Sequence, residues 1–346
     1  MPATIRDVAR ASGVHISTVS RTFSAPHLVN VETRTRVLAC AEQLGYRPNR
    51  AARALITGRT FNIGLIVADI ANPFFPPLIK AAESQARRHD HHVFVADTNE
   101  DAAAEEELVR ALAKQVDGIL LCSPRMSNSL IEQLSREVPL VVVNRQIAGL
   151  PAVVMDVARG ARLAIEHLTG LGHRTLALAA GPRGSWTSKE IRRSATAAAR
   201  AAGAELTVLG PNPPTEDGGL AVAEHVRAGV TAVLAYNDLM ALGLIEGLQQ
   251  RGLRVPRDVS VVGIDDITLS RLTRPKLTTV ATPTAAAGRA AVDMLLAHGD
   301  DRRTTALVNL QTELVIRDST GPGPGPHCPA DPGDVVAAPA PGVASH

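Results

Sequence analysis

Four residues of one short stretch, Ile16, Ser17, Ser20 and Arg21 in "GVHISTVSR", fall at spacings that share one face of a helix. Their types suit the reading of base edges. An arginine can pair bidentately with guanine, and short hydroxyl side chains let a helix sit deep in a major groove. A second set of residues follows directly on short apolar runs. It comprises Asp69 and Asn72 with Phe74 and Phe75, Asn144 with Arg145, the loop holding Trp186, Asn237 with Asp238, and Asp265. Carboxylates and amides hydrogen-bond to neighbouring hydroxyls, and an aromatic face packs on the C–H side of a sugar ring, so this set suits a polyol. Each member also has a plain structural alternative. Asp69, Asn237 and Asp238 can cap helices, Phe74 and Phe75 can be core, and Trp186 can fill a gap between lobes.

The first set needs a small helical bundle to present it. Thr4 followed by Asp7 is an N-terminal capping signature, with Ile5, Val8 and Ala9 as the inward face of a short helix that Gly13 ends. A second helix runs from about Ile16 to Phe23, with Val19 and Phe23 inward. Two helices joined by a glycine-containing turn make a helix-turn-helix. A third, from about Val31 to Leu44, closes the bundle with Val37, Ala41 and Leu44, and Cys40 packs as a small core residue.

The second set needs parallel sheets. From about Asn62, "NIGLIVA", "HVFVAD", "GILL", "LVVV", "TLALAA", "TAVLAY" and "VSVVG" alternate with helical stretches, which indicates βαβ units in two lobes. Ligands of such sheets bind beyond the carboxyl ends of the strands. The helix "TAAAGRAAVDMLLAHG" can pack on either lobe. The expected architecture is a small all-α helix-turn-helix head, residues 1–48, on an α/β two-lobed body with parallel sheets, residues 61–318. Residues 49–60 link the two. Residues 319–346, with seven Pro, five Gly and no periodicity, read as a disordered tail.

Composition narrows the function. Residues 1–60 carry nine Arg against three acidic residues, a net charge of +6, and the remainder carries −4, so a basic module is joined to a mildly acidic body. Aromatics are only 2% of the 346 residues, so the core must be aliphatic. Cys40, Cys122 and Cys328 have no pairing or zinc-like spacing, which fits a reducing, cytoplasmic setting. The charged N-terminus lacks a signal-peptide pattern, and no apolar run is long enough to span a membrane. His89, His91 and His92 lack partners for a metal site. No GxGxxG follows the first strand, "GPRGS" has too few glycines, and no GxSxG elbow occurs, so neither a cofactor nor an enzyme is expected.

"TIRDVARASGV", "TVSR", "TRTRVLACAEQLGYRPN" and "AARAL" follow, in order and spacing over residues 3–56, the DNA-binding head of the lactose-repressor family of bacterial transcription regulators. The resemblance continues to about residue 318 in "GLIVADIANPFFPPL", "VDGILL", "ARLAIEHLTGLGHRTLALAAGP", "AVLAYNDLMALG" and "RGLRVPRDVSVVGIDD". It implies that Ile16, Ser17 and Arg21 face base edges and that Thr4, Thr18, Thr33, Tyr46 and Asn49 contact phosphates. It further implies a hinge helix over Asn49–Leu55, with Leu55 as a minor-groove wedge and Arg50 and Arg53 adding salt-sensitive affinity. Relatives have two lobes like a periplasmic sugar-binding protein, with a small effector between them. By position, Phe74, Phe75, Asn144, Arg145, Trp186, Thr187, Asn237, Asp238 and Thr282 would line that cleft, with Asp69 nearby.

Two departures stand out. His15 occupies an N-cap position where relatives carry Ser or another capping residue; it can cap through a ring nitrogen or reach a phosphate. Ile191 stands where many relatives have a pocket Arg, and either Arg192 replaces it or the effector is less anionic or polar. The resemblance therefore implies a repressor that binds a palindromic operator as a homodimer, or tetramer, under control of a small sugar-like effector. The alternative is a cytoplasmic solute-binding protein without specific DNA recognition, which leaves the basic head unexplained.

Overall fold

The computed structural model describes residues 3–47, 58–297 and 306–324. The head and the body form separate compact units. In the head, α1 (Ile5–Ser12), α2 (Ile16–Ser24) and α3 (Val31–Gln43) enclose Val8, Ala9, Val19, Val37 and Ala41. The Thr4 backbone N–H and hydroxyl both donate to the Asp7 carboxylate, at 2.9 and 2.7 Å, which starts α1. Those two bonds, the hydroxyl's first, hold the Asp7 carboxyl below its ordinary range. Gly13 ends the helix at φ 66°, a left-handed conformation in which a side chain would be strained. Leu44 is not in the core as expected but 41% exposed. Helix α3 stops at Gln43, and the chain turns back so that the Tyr46 N–H bonds to the Ala41 carbonyl. Tyr46, tilted against Phe23 with ring centroids 5.8 Å apart, covers the bundle instead.

The body holds two six-stranded sheets. The first contains β1 (Asn62–Val67), β2 (His92–Asp97), β3 (Gly118–Cys122), β4 (Leu140–Val143), β5 (Ala152–Met155) and β11 (Leu307–Leu310), in the order β11-β5-β4-β3-β1-β2. The second contains β6 (Thr175–Ala179), β7 (Glu205–Leu209), β8 (Ala232–Ala235), β9 (Ser260–Asp265), β10 (Thr278–Ala281) and β12 (Glu313–Val315), in the order β12-β10-β9-β8-β6-β7. Pairing is parallel in registers such as Leu65 with Leu120 and Leu178 with Leu234, whereas β12 runs antiparallel to β10. Helices α4 (Phe75–Arg88), α5 (Ala102–Leu112) and α6 (Asn128–Leu134) belong to the first lobe. Helices α7 (Val157–Gly170), α8 (Trp186–Ala201), α9 (Glu216–His225) and α10 (Asp238–Gln250) belong to the second. Buried Val, Ile, Leu and Ala fill both cores, as a chain poor in aromatics requires.

The late helix α11 (Thr284–Ala297) returns to the first lobe, where Ala287, Ala291 and Leu295 pack with Leu78 and Ala82. The chain thus passes between lobes three times: after β5, after β10 and between β11 and β12. Two of these crossings are tied together: Asp156 N–H donates to the Leu310 carbonyl (2.9 Å), and the buried Thr312 hydroxyl donates to the Asp156 carbonyl (2.7 Å).

The body also runs past residue 318. Ser319 is fully buried, accepting from Thr278 N–H and donating to the Val261 carbonyl, and Gly323 N–H reaches the Leu171 carbonyl. A tail starting at 319 is therefore corrected: Ser319, Thr320, Gly321 and Gly323 all hydrogen-bond to the second lobe. The remainder of the expected tail lies outside the described residues.

Candidate functional site

In the head, α2 turns Val19 and Thr22 inward and leaves Ile16, Ser17 and Arg21 exposed, with Ser20 and Thr18 half-buried. His15 caps this helix: its Nδ1 accepts from the Ser17 N–H at 3.3 Å and lies 2.8 Å from the Ser17 hydroxyl. The departure at position 15 therefore keeps the chemistry of a cap. Thr33 and Tyr46 are half-buried, while Thr4 is exposed with its hydroxyl committed to Asp7. Exposed Arg6, Arg10, Arg36 and Arg47 make the module cationic. Asn49, Arg50, Arg53 and Leu55, with the expected hinge helix, lie outside the described residues.

In the body, a cleft forms where the carboxyl ends of both sheets meet. It is lined by Asn72, Phe74, Phe75, Glu100, Ser123, Arg125, Asn144, Val157, Thr187, Pro214, Tyr236, Asn237, Ile264, Asp265 and Thr282. Of the expected ligand residues, Phe74, Phe75, Asn144, Thr187, Asn237 and Thr282 come together there. The two phenylalanines meet edge to face, 4.9 Å between centroids and 87° apart. Tyr236 from the second lobe supplies a third ring; it lies so flat on Gly181 that a Cβ there would come 2.5 Å from it. The Tyr236 hydroxyl is 3.1 Å from that of Ser185, and burial pushes its pKa up.

The amides differ in what they have left to offer. Asn237 caps α10 by accepting from Met240 N–H and donates to the Pro214 carbonyl, both at 2.9 Å. Asn144 sits at the end of β4 with φ 61° and is 7% exposed. Its Nδ2 donates to the Ser123 hydroxyl at 3.1 Å, but its Oδ1 is buried without any partner. Such a group is rare in a folded protein, because an unmade buried hydrogen bond costs about 1–3 kcal/mol. Among the described residues the Asp265 carboxylate also meets no donor. Burial, and then its neighbour Asp238, raise its pKa well above the ordinary value. The cleft therefore carries one unused amide acceptor and one unpartnered carboxyl group. The lobes touch across it where the Thr187 hydroxyl donates to the Asn144 carbonyl at 3.4 Å.

Five expected ligand residues are not on the cleft wall. Asp238 is fully buried, and its carboxylate accepts from Ile267 N–H and from the Ser270 and Thr279 hydroxyls. Arg145 is buried and directs its two terminal guanidinium nitrogens to the Pro124 and Met126 carbonyls and to Asn128, bracing the loop after β3, while its Nε is buried without a partner. Trp186 opens α8 half-buried, and Arg192 is exposed to solvent on that helix. Ile191, beside it, is 1% exposed in the second-lobe core, so no cation enters the cleft from α8. Asp69 stands nearby, accepting from Ala71 N–H.

Glu100, Ser123, Arg125 and Tyr236 are wall residues that sequence reasoning did not single out. Ser123 and Arg125 follow directly on β3 and Tyr236 on β8, so the strand-end rule, applied to every strand, would have found them. Arg125 and Glu100 form a bidentate ion pair, with Nε to Oε2 at 2.5 Å and Nη2 to Oε1 at 2.9 Å. Glu105, buried beneath, accepts from the backbone N–H groups of Arg125 and Met126; burial raises its carboxyl pKa. Among the described residues no group of three or more His, Cys, Asp or Glu is placed to hold a metal ion, and no helix is long and apolar enough to cross a membrane.

A DNA-reading helix-turn-helix on one unit and a ligand cleft between two parallel-sheet lobes on the other define a ligand-responsive transcription regulator. Comparison with known proteins agrees. Residues 4–49 match the model of bacterial regulatory proteins of the lacI family, and residues 165–320 match a periplasmic binding protein-like domain. The HTH-type transcriptional regulator GalS of Salmonella typhimurium is 32% identical over 85% of this chain and 89% of its own length. The crystal structure of the lac repressor dimer bound to operator and the anti-inducer ONPF superposes with a TM-score of 0.82 at 28% identity, over 93% of this chain and all of that one. A complex of the transcriptional regulator CelR with cellobiose gives 0.68 at 31% identity, over 92% and 99%. The chain belongs to the lacI family of bacterial regulatory proteins. It is a DNA-binding transcription regulator and not an enzyme.

Proposed function

We propose that this chain is a repressor that binds a palindromic operator as a homodimer in the cytoplasm and is controlled by a neutral, sugar-like effector in the inter-lobe cleft. The observation that carries the effector reading is the buried, unpartnered Oδ1 of Asn144 in a cleft that also holds the unpaired Asp265 carboxyl group. An amide acceptor without a donor and a carboxyl group without a partner call for a ligand whose hydroxyls both donate and accept, and Phe74, Phe75 and Tyr236 offer ring faces for its C–H side. Among the described residues no unpaired cation lines the cleft, since Arg125 is held by Glu100. An anionic effector would thus lack a partner. CelR is a relative that binds cellobiose.

The space left in the cleft is only about 30 Å³, far below the size of a ligand pocket, so a sugar enters when the lobes part. A ligand that joins Asn144 of the first lobe to Asp265 and Thr282 of the second then biases their closure. Its effect on DNA affinity equals its differential affinity for the two states.

In the head, Ile16, Ser17, Ser20 and Arg21 read base edges. Thr4, Thr18, Thr33, Tyr46 and Asn49 position the module on phosphates, Arg53 adds electrostatic affinity, and Leu55 wedges the minor groove. One short helix reads too few bases for useful specificity, so two copies bind a two-fold site, as the lac repressor dimer binds its operator. Selection of duplex DNA from a random pool by the full-length protein, at near-physiological salt with and without a sugar panel, tests this. A two-fold consensus is expected. Salt-sensitive retention without sequence preference would leave a solute-binding protein.

A further inference from the structure

We propose that the effector is a two-unit glycan or glycoside whose second ring occupies a chamber outside the Glu100–Arg125 ion pair. This inference rests on the sugar-like reading of the cleft and names the class of sugar. The chamber is a solvent-open groove of about 620 Å³ between the loops after β1, β2 and β3 of the first lobe and those after β6 and β7 of the second. It shares Glu100, Arg125 and Pro214 with the inner cleft, so these three residues form the neck between the two spaces.

The neck is built rather than incidental. Asn99 and Glu100 both have left-handed backbone, φ 49° and 64°, which side-chain-bearing residues seldom adopt in succession. The turn brings the Glu100 carboxylate onto the Arg125 guanidinium, whose Nη1 also donates to the Ser123 carbonyl at 2.9 Å. The Arg125 side chain is 8% exposed. A bidentate pair fixed in this way leaves carboxylate lone pairs and guanidinium N–H groups at defined positions for hydroxyls on either side of it.

The chamber's chemistry matches a neutral ring. Its charged residues are Asp69, Glu100, Arg125 and Arg183, which sum to zero. Asp69, Asn99 and the exposed Arg183 offer acceptors and donors around the rim, and Pro182, Pro211 and Pro213 present rigid apolar faces without donors of their own. A phosphate would find one unpaired cation, Arg183, on a rim that also holds the Asp69 carboxylate. A sugar ring, with hydroxyls at its edge and C–H groups on its faces, finds both kinds of partner.

Isothermal titration of the full-length protein tests the proposal. The probes are glucose, galactose, xylose and ribose, then cellobiose, maltose, lactose and trehalose, then glucose 6-phosphate. The tightest disaccharide is expected to bind at least 10-fold more tightly than either of its units. Ala102→Trp, at the half-buried chamber wall, should remove that advantage while leaving the monosaccharide Kd within twofold. Arg183→Gln, at an exposed position where folding is not at stake, should weaken the disaccharide about threefold and the monosaccharide not at all. A monosaccharide that binds as tightly as every disaccharide, or variants that weaken both classes equally, would overturn the chamber and leave the cleft reading standing. Tighter binding of glucose 6-phosphate would overturn the neutral second unit. Binding by none of the probes would overturn the chamber and the sugar-like reading together.

Discussion

Replacing Asp238 with Ala should destabilise the second lobe by about 3–5 kcal/mol. The side chain opens α10 fully buried and accepts from Ile267 N–H at 2.9 Å, the Ser270 hydroxyl at 2.6 Å and the Thr279 hydroxyl at 2.5 Å. Truncation leaves three buried donors without their acceptor. Each hydrogen bond to a charged group contributes roughly 1.5–3 kcal/mol, and an orphaned donor costs about 1–3. Two of the donors are hydroxyls that can rotate toward other acceptors, and burial raises the Asp238 pKa because the charge is desolvated; both lower the sum. A loss of a few kcal/mol remains, against a typical total of about 5–15. Urea unfolding read by fluorescence is the assay, because the sole tryptophan, Trp186, lies in α8 of the same lobe. With a slope of roughly 3 kcal/mol/M, the midpoint should fall by about 1 M or more. An unchanged midpoint together with a lost ligand response would refute this reasoning and return the carboxylate to the cleft.

Arg21→Ala should relax preference at one base pair per half-site by about 1–3 kcal/mol in competition binding, and equal preference would remove Arg21 from base reading. His15→Ala should cost about 1 kcal/mol at the start of α2, read as roughly fivefold faster amide exchange at Ser17, with His15→Ser restoring protection. His173 bonds the Thr231 and Ser260 hydroxyls and the Gly321 carbonyl, and His167 meets Thr320, so both hold residues 319–324. Burial lowers both pKa values from 6.5, and each ring is thus neutral in the folded lobe where it would be protonated unfolded. Stability is then fully present above about pH 6.5 and lost as pH falls through the depressed folded values. A urea midpoint measured from pH 8 to pH 5 should show that fall, and His173→Gln should flatten it.

The head was legible because its signals are local: Thr4 with Asp7, Gly13, and apolar residues at helical spacing. Leu44 misled because Gly45 reverses the chain one residue later, which helical periodicity alone does not register. In the body, the strands with long aliphatic runs were readable. Edge strands such as β7 ("ELTVL") and β11 ("LVNL") were not, since one face is wet and the apolar signal is halved. The strand-end rule located the cleft but not which side chains enter it. Asn144 and Arg145, and likewise Asn237 and Asp238, are neighbours in sequence that point different ways, one to the cleft and one into the protein. The Glu100–Arg125 pair was invisible because its partners come from separate loops that only the sheet order brings together.

Control of DNA binding by the cleft can be measured directly. The most direct measurement is the affinity of the full-length protein and of Asn144→Ala for the selected palindrome, each with and without the tightest-binding sugar. The expected result is equal affinity of the two unliganded proteins, a change of 10-fold or more on adding sugar to the unmodified protein, and little change in the variant. Equal responses in both proteins, or no response in either, would contradict it.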